Sequence, residues 1–260
     1  MKFCVDCGSP CEGAKFCPEC GFDLRPYLSS VDALPQPPKP QMVVGQATVT
    51  TVTTTQPTTQ PTTQPPANIQ ALLAPFIVKR NADGQTYTIL GVKDKSIQTA
   101  VIPYGVTAIG ERAFYALPSL ESVQMADSVT TIAAEAFYCC GKLKDINIPN
   151  SITVLKASVL AGCRSLRRIQ LPDSISTIEH GAFLDCEVLE DIQIPPHVTD
   201  MGYAVFYNCH ALKYVVIPDS VQNIHCNLLD GYKNTAYVPR GLISKLHPDY
   251  TKCTVIPVDP

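Results

Sequence analysis

The sequence predicts a mainly β solenoid, an α/β-type repeat array of about five stacked 23-residue units closed by caps. A small cysteine-rich module and a disordered tether precede it. Three observations carry this. An aliphatic-proline pair recurs at Ile102-Pro103, Ile148-Pro149, Leu171-Pro172, Ile194-Pro195 and Ile217-Pro218, with Met125-Ala126 filling the gap in the register. Further columns keep the same 23-residue period: Leu120, Leu143, Leu166, Leu189 and Leu212; Ile109, Ile132, Leu155, Ile178, Met201 and Ile224; Cys140, Cys163, Cys186 and Cys209. The composition also changes abruptly twice before the array begins. A fixed period of this length is the signature of units that cannot close a core alone and must stack.

Residues 1–28 form the first segment and hold five of the 12 cysteines. Cys4-Val-Asp-Cys7-Gly8 and Cys17-Pro-Glu-Cys20-Gly21 are two C-x-x-C-G knuckles. Two residues between thiolates let one tight turn aim both sulfurs at one ion, and the glycine tolerates the left-handed backbone of such a turn. Four thiolates predict one structural zinc in a closed tetrahedral site held by Cys4, Cys7, Cys17 and Cys20. Cys11 lies outside the paired spacing. Residues 29–68 form the second segment. Between positions 34 and 66 they carry eight prolines and ten threonines, so they have little to bury and read as a disordered tether.

Residues 69–260 form the solenoid. Residues 76–89 contain two β-rich runs around Asp83-Gly84 and predict a hairpin over the first coil. Within each unit, Leu-x-x-Ile-x-Ile-Pro reads as one short strand and Val-Thr-x-Ile as a second. The Ala-Phe-x-x-Cys piece between them suits a helical or 3₁₀ turn. After Ile224 the register decays toward Tyr237 and the tail, which reads as a C-terminal cap. The cysteine column is predicted to be reduced, buried and apolar in role.

Alternation sets the outward face of the first strand. Leu143, Ile146 and Ile148 must point inward, which turns Asp145 and Asn147 outward. The same logic exposes Arg168 and Gln170, Asp191 and Gln193, then Tyr214 and Val216. Arg168 is the one cation in its column and Tyr214 the one aromatic, and those residue types dominate binding interfaces. Two readings stand: a surface that reads a protein or glycan partner, or a solubilising ladder of amides and charges.

Enzymatic chemistry has no foothold in the motifs. The chain lacks G-x-S-x-G, G-x-x-x-x-G-K-[S/T], H-E-x-x-H and G-x-G-x-x-G. His225, Cys226, His247 and Cys253 match no ligand spacing. A net charge of −3 disfavours a nucleic-acid partner. No apolar run is long enough to span a membrane. The opening residues lack the apolar core of a secretory signal, which predicts a cytoplasmic protein.

Two resemblances follow from these motifs. Residues 1–28 resemble the short zinc ribbons of bacterial proteins, which implies a structural zinc without an open coordination position. Ile-Pro-x-Ser-Val-Thr-x-Ile-(Gly)-x-x-Ala-Phe-x-x-Cys-x-x-Leu, carried by residues 194–212 and by 148–166 with Leu160 in place of Phe, resembles the BspA-like, treponemal-type leucine-rich repeat family. That resemblance implies a curved solenoid for protein binding, often in surface proteins that attach to host or matrix proteins. The expected function is a non-enzymatic protein-interaction module; a displayed or secreted adhesin is the alternative.

Overall fold

The structure, a computed structural model, describes residues 68–224, 229, 235–243 and 254–258. The zinc knuckles, nearly all of the tether, and His225, Cys226, His247 and Cys253 lie outside them. A short helix α1 (Ile69–Leu73) leads into β1 (Phe76–Arg80), which pairs antiparallel with β2 (Tyr87–Val92). Asp83 makes the turn of this hairpin. Its Oδ1 accepts the Gln85 and Thr86 N–H groups at 2.9 Å each, and its Oδ2 accepts the Thr86 hydroxyl at 2.7 Å. Gly84 takes φ of +65°, the left-handed conformation such a turn requires. The capping hairpin expected over residues 76–89 is present.

Two parallel ladders follow, one from each strand of the repeat. The first contains β2, β4 (Val106–Ile109), β6 (Thr131–Ile132), β8 (Val154–Leu155), β9 (Thr177–Ile178), β10 (Asp200–Met201) and β12 (Asn223–Ile224), in two hydrogen-bonded runs. The second contains β3 (Thr99–Ile102), β5 (Ser122–Met125) and β7 (Asp145–Ile146). It continues through a bridge between Arg168 and Asp191 to β11 (Tyr214–Val216), β13 (Thr235–Pro239) and β14 (Thr254–Val258). In the second ladder Pro103, Pro149, Pro172, Pro195 and Pro218 end their rungs, because proline cannot donate to the ladder, whereas Ala126 stands in that place after β5.

The coils therefore number about seven, not five. The pattern Leu-x-x-Ile-x-Ile-Pro fails to count β2 and the last rungs, where a hairpin insertion and shorter spacings break the 23-residue register. The region past Ile224 likewise differs from the expected cap: β13 and β14 add two parallel rungs to the second ladder.

The Ala-Phe-x-x-Cys piece is not a helical turn. Two left-handed residues, four positions apart, break the backbone into successive turns: Glu135 and Cys139, Gly181 and Asp185, Ala204 and Asn208. This geometry frees alternate N–H groups to reach the next coil. Phe137 N–H donates to Val159 O at 3.0 Å and Cys139 N–H to Ala161 O at 2.7 Å, and Phe183 N–H to Val205 O at 3.0 Å. The third side of the coil is thus bonded between coils as the strands are, and a helix would have consumed those donors internally.

The core is one column per position. Phe114 stacks on Phe137 with centroids 5.0 Å apart, and Phe183 on Phe206 at 5.6 Å. Phe76 from the hairpin meets Phe114 edge-on at 6.1 Å, so the cap continues the aromatic column that it covers. Serine stitches the coils from outside: Ser128 Oγ donates to Val106 O at 2.8 Å, Ser174 to Ile152 O and Ser220 to Val198 O at 2.7 Å each. No helix among the described residues is long and apolar enough to cross a membrane.

Candidate functional site

The outward strip of the second ladder presents Asp145, Asn147, Arg168, Gln170, Asp191 and Gln193, all exposed. Their inward neighbours Ile146, Ile169 and Ile192 are buried. Strand alternation delivers this directly.

The residues on the strip differ in what occupies them. Asn147 is held: its Oδ1 accepts Met125 N–H at 2.6 Å and its Nδ2 donates to Met125 O at 2.8 Å. Tyr214 is half-buried, its ring edge-on to Tyr237 at 6.1 Å. Burial pushes the Tyr214 phenol above its usual pKa, and the Asp191 carboxylate one coil back adds to the rise. Arg168 is the opposite case. Its side chain is 72% exposed and its guanidinium comes no nearer than 3.8 Å to Glu190.

Beside this strip runs a column of mixed sign, Glu121, Lys144, Arg167, Glu190 and Lys213. Lys144 Nζ lies 2.8 Å from Glu121, and Arg167 lies 3.3 Å from Glu190. The hydrogen bond from Lys144, and then its charge, hold the Glu121 carboxyl below the usual carboxylate range. Exposed pairs of this kind contribute little to stability. Arg112–Glu135, Lys156–Glu179 and Arg164–Glu187 repeat the one-coil step on other sides.

Two exposed aromatic pairs escaped the column reading. Tyr115 stacks on Tyr138 at 5.4 Å, with the Arg112 guanidinium 5.6 Å from the Tyr115 centroid. His180 stacks on Tyr203 at 4.9 Å. Both pairs sit on the turn side, away from the second ladder. The signal for them was present, since each pair is separated by one 23-residue period.

The cysteine column is buried and apolar in setting. Cys140, Cys163, Cys186 and Cys209 each donate a thiol to a carbonyl one coil back, at 3.0–3.4 Å: Phe114, Phe137, Leu160 and Phe183 respectively. Burial pushes the Cys140 thiol up to about 11 and Cys209 to about 12, and lifts Cys163 and Cys186 well above the usual range. Such thiols are poor nucleophiles and poor metal ligands. Cys139 is the exposed thiol beside them. No group of three or more His, Cys, Asp or Glu side chains among the described residues is placed to hold a metal ion.

Comparison with known proteins matches this geometry. A leucine-rich repeat protein from Bacteroides ovatus superposes with a TM-score of 0.57 and 27% identity, covering 63% of this chain and 45% of that one. The leucine-rich repeat protein of T. pallidum superposes with a TM-score of 0.59 and 27% identity, covering 63% of this chain and 78% of that one. The match thus spans under half the length of the Bacteroides protein. A comparison with curated proteins finds no match. Residues 93–213 match the family described as the BspA type leucine rich repeat region, in six copies, and the fold is a leucine-rich-repeat solenoid.

Proposed function

We propose that the solenoid is a non-enzymatic module that binds a protein partner through the outward strip of the second ladder, with Arg168 as its centre. The observation that carries this is the state of Arg168. Its side chain is 72% exposed and its ion pair to Glu190, which it shares with Arg167, is long at 3.8 Å, against 3.3 Å for Arg167 and 2.8 Å for Lys144 to Glu121. A charged, planar donor held out on a rigid scaffold is pre-organised for a carboxylate or a backbone carbonyl on a partner. Asp145 and Asp191 lie one coil to either side, and Gln170 and Gln193 extend the strip. Asn147 and Tyr214 serve the sheet itself.

Residues 1–28 complete the reading as a zinc ribbon, with Cys4, Cys7, Cys17 and Cys20 as the donor set. Four thiolates suit zinc and leave no position for a reacting water, so the metal is structural. Residues 29–68 are the tether between ribbon and solenoid. A reducing, cytoplasmic setting suits free thiolate ligands.

The test compares capture by the full chain and by an Arg168→Ala, Gln170→Ala variant. Loss of one anchor of this kind weakens binding by about tenfold, or ~1.4 kcal/mol. Both side chains are exposed, so thermal stability stays constant. Equal recovery of the same partners by both proteins removes this strip from the reading and shifts attention to the stacked aromatics of the turn side.

A further inference from the structure

The two ladders begin differently at their N-terminal ends. The first is closed by β1, which folds back antiparallel on β2. The second begins with β3, which pairs on one side alone, with β5, among the described residues. Ser122 N–H donates to Gln98 O at 3.1 Å and Ala126 N–H to Ile102 O at 3.1 Å, which commits the even-numbered residues to β5. The alternation of a parallel ladder then turns the N–H and C=O groups of Thr99 and Val101 toward the outer edge. The inward side of β3 is sealed, with Ala100 and Ile102 at 0% and 1% exposure, whereas Val101 is 57% exposed. A sealed floor beside a row of open backbone groups is a ready slot for one more strand.

The same chain carries a segment of matching composition. Residues 48–55 read Thr-Val-Thr-Thr-Val-Thr-Thr-Thr, eight consecutive β-branched residues without charge, glycine or proline. That is the composition of a strand, unlike the proline-bearing sequence on either side of it. Twelve residues, 56–67, separate it from Asn68 at the start of α1, and four of them are proline. Extended at ~3.1 Å per residue they reach about 37 Å, several times the ~4.8 Å step from one rung to the next. A tether of this length holds the segment near the slot at an effective concentration on the order of millimolar. Neutral β-branched residues also bring no charge to an edge whose exposed side chains, Thr99 and Val101, are uncharged.

We propose that residues 48–55 add to the outer edge of β3 as an extra rung, so that the chain caps its own second ladder. The first ladder is then closed by β1 and the second by a strand from the tether. The tether is correspondingly shortened to the segments on either side of that strand.

Hydrogen exchange on the full chain, read amide by amide, tests this. The amides of residues 48–55, Thr99 and Val101 are expected to exchange at least about tenfold slower than those of a free peptide of the same sequence. A Val49→Pro, Val52→Pro variant removes two donors from the added strand without touching the repeat core. In it Thr99 and Val101 are expected to lose their protection while Val123 keeps its own. Residues 48–55 exchanging at the free-peptide rate in the unaltered chain overturns the proposal. So does a proline variant in which Thr99 and Val101 stay protected. Protection that grows with protein concentration also overturns it, because the edge is then covered by a second copy.

Discussion

The carboxamide of Asn147 stands in for a missing length of strand beside Met125. It accepts the Met125 N–H at 2.6 Å and donates to the Met125 carbonyl at 2.8 Å. β5 runs to Met125, but β7 stops at Ile146, opposite Val123 and two residues short of its neighbour. The side-chain amide carries the same donor and acceptor as a peptide group, so it satisfies both backbone groups that the truncated strand leaves open.

Asn147→Ala is therefore expected to destabilise the solenoid although the residue is exposed. Two hydrogen bonds are lost and two partly buried backbone groups are left open, at about 1–2 kcal/mol. For a domain of this size that lowers Tm by roughly 2–8 °C in a thermal melt followed by circular dichroism. Asn147→Asp should cost at least as much, because a carboxylate has no donor for the Met125 carbonyl and repels it. A melt identical to the unaltered protein's rules the clasp out in solution.

Gly202 is expected to resist the smallest substitution. A Cβ there would lie 2.4 Å from the backbone nitrogen of His180 and 2.7 Å from its Cα, where no flexible side chain can yield. Gly202→Ala forces the coil of β10 away from the coil of β9 and is expected to cost about 1–3 kcal/mol. Gly141→Ala is the control, since nothing lies within 4 Å of its Cβ position and its φ is ordinary. That change is expected to be neutral or stabilising by roughly 0.4–1 kcal/mol. Chemical denaturation of the two variants side by side settles the ordering.

The strands were legible because inward positions repeat: Leu143, Ile146 and Ile148 recur in every unit and fix which side chains face out. The turn was misread because Ala-Phe-x-x-Cys has helical spacing, and its left-handed positions are held by Glu135, Cys139, Asp185 and Asn208 as well as glycine. Inter-coil hydrogen bonds select that backbone, and no local propensity records them. The site was half legible for a related reason. Alternation places Asn147 and Tyr214 outward, yet their occupation depends on contacts with Met125 and Tyr237 a coil away, which the repeat pattern does not record.

The cysteine column is expected to divide sharply in reactivity. Native alkylation should label Cys139 fast and Cys140, Cys163, Cys186 and Cys209 slowly, with unfolding exposing all of them. The four buried thiols have folded pKa values raised above the ordinary ~8.5. The folded state then holds protons that the unfolded chain releases, so their stabilisation is complete below about pH 8.5 and is lost as pH rises toward the folded values. Global stability measured by urea unfolding is expected to fall between pH 8.5 and the value of about 11 reached by Cys140. Replacing Cys140 by Ala should flatten that part of the profile. A profile unchanged by the replacement assigns the fall to other groups.

The zinc prediction concerns stoichiometry and linkage together. Two C-x-x-C-G knuckles supply four thiolates, and Cys11 stands outside the pairing. Native mass spectrometry of the reduced full chain is expected to show one zinc, retained in Cys11→Ser and lost in Cys17→Ser. Zinc binding supplies much of the folding free energy of so small a module, on the order of 10 kcal/mol in ribbon-sized peptides. A chelator should therefore unfold residues 1–28 by hydrogen exchange while the solenoid, whose core contains no metal-bearing cluster among the described residues, keeps its protection. The proton count gives an independent check, because thiols near ~8.5 must deprotonate to bind. Zinc uptake at pH 7 should thus release close to four protons per ion, and apparent affinity should fall steeply on acidification. Release of about two protons, or zinc held after Cys17→Ser, assigns the metal to a different donor set and leaves the knuckles without the role argued for them.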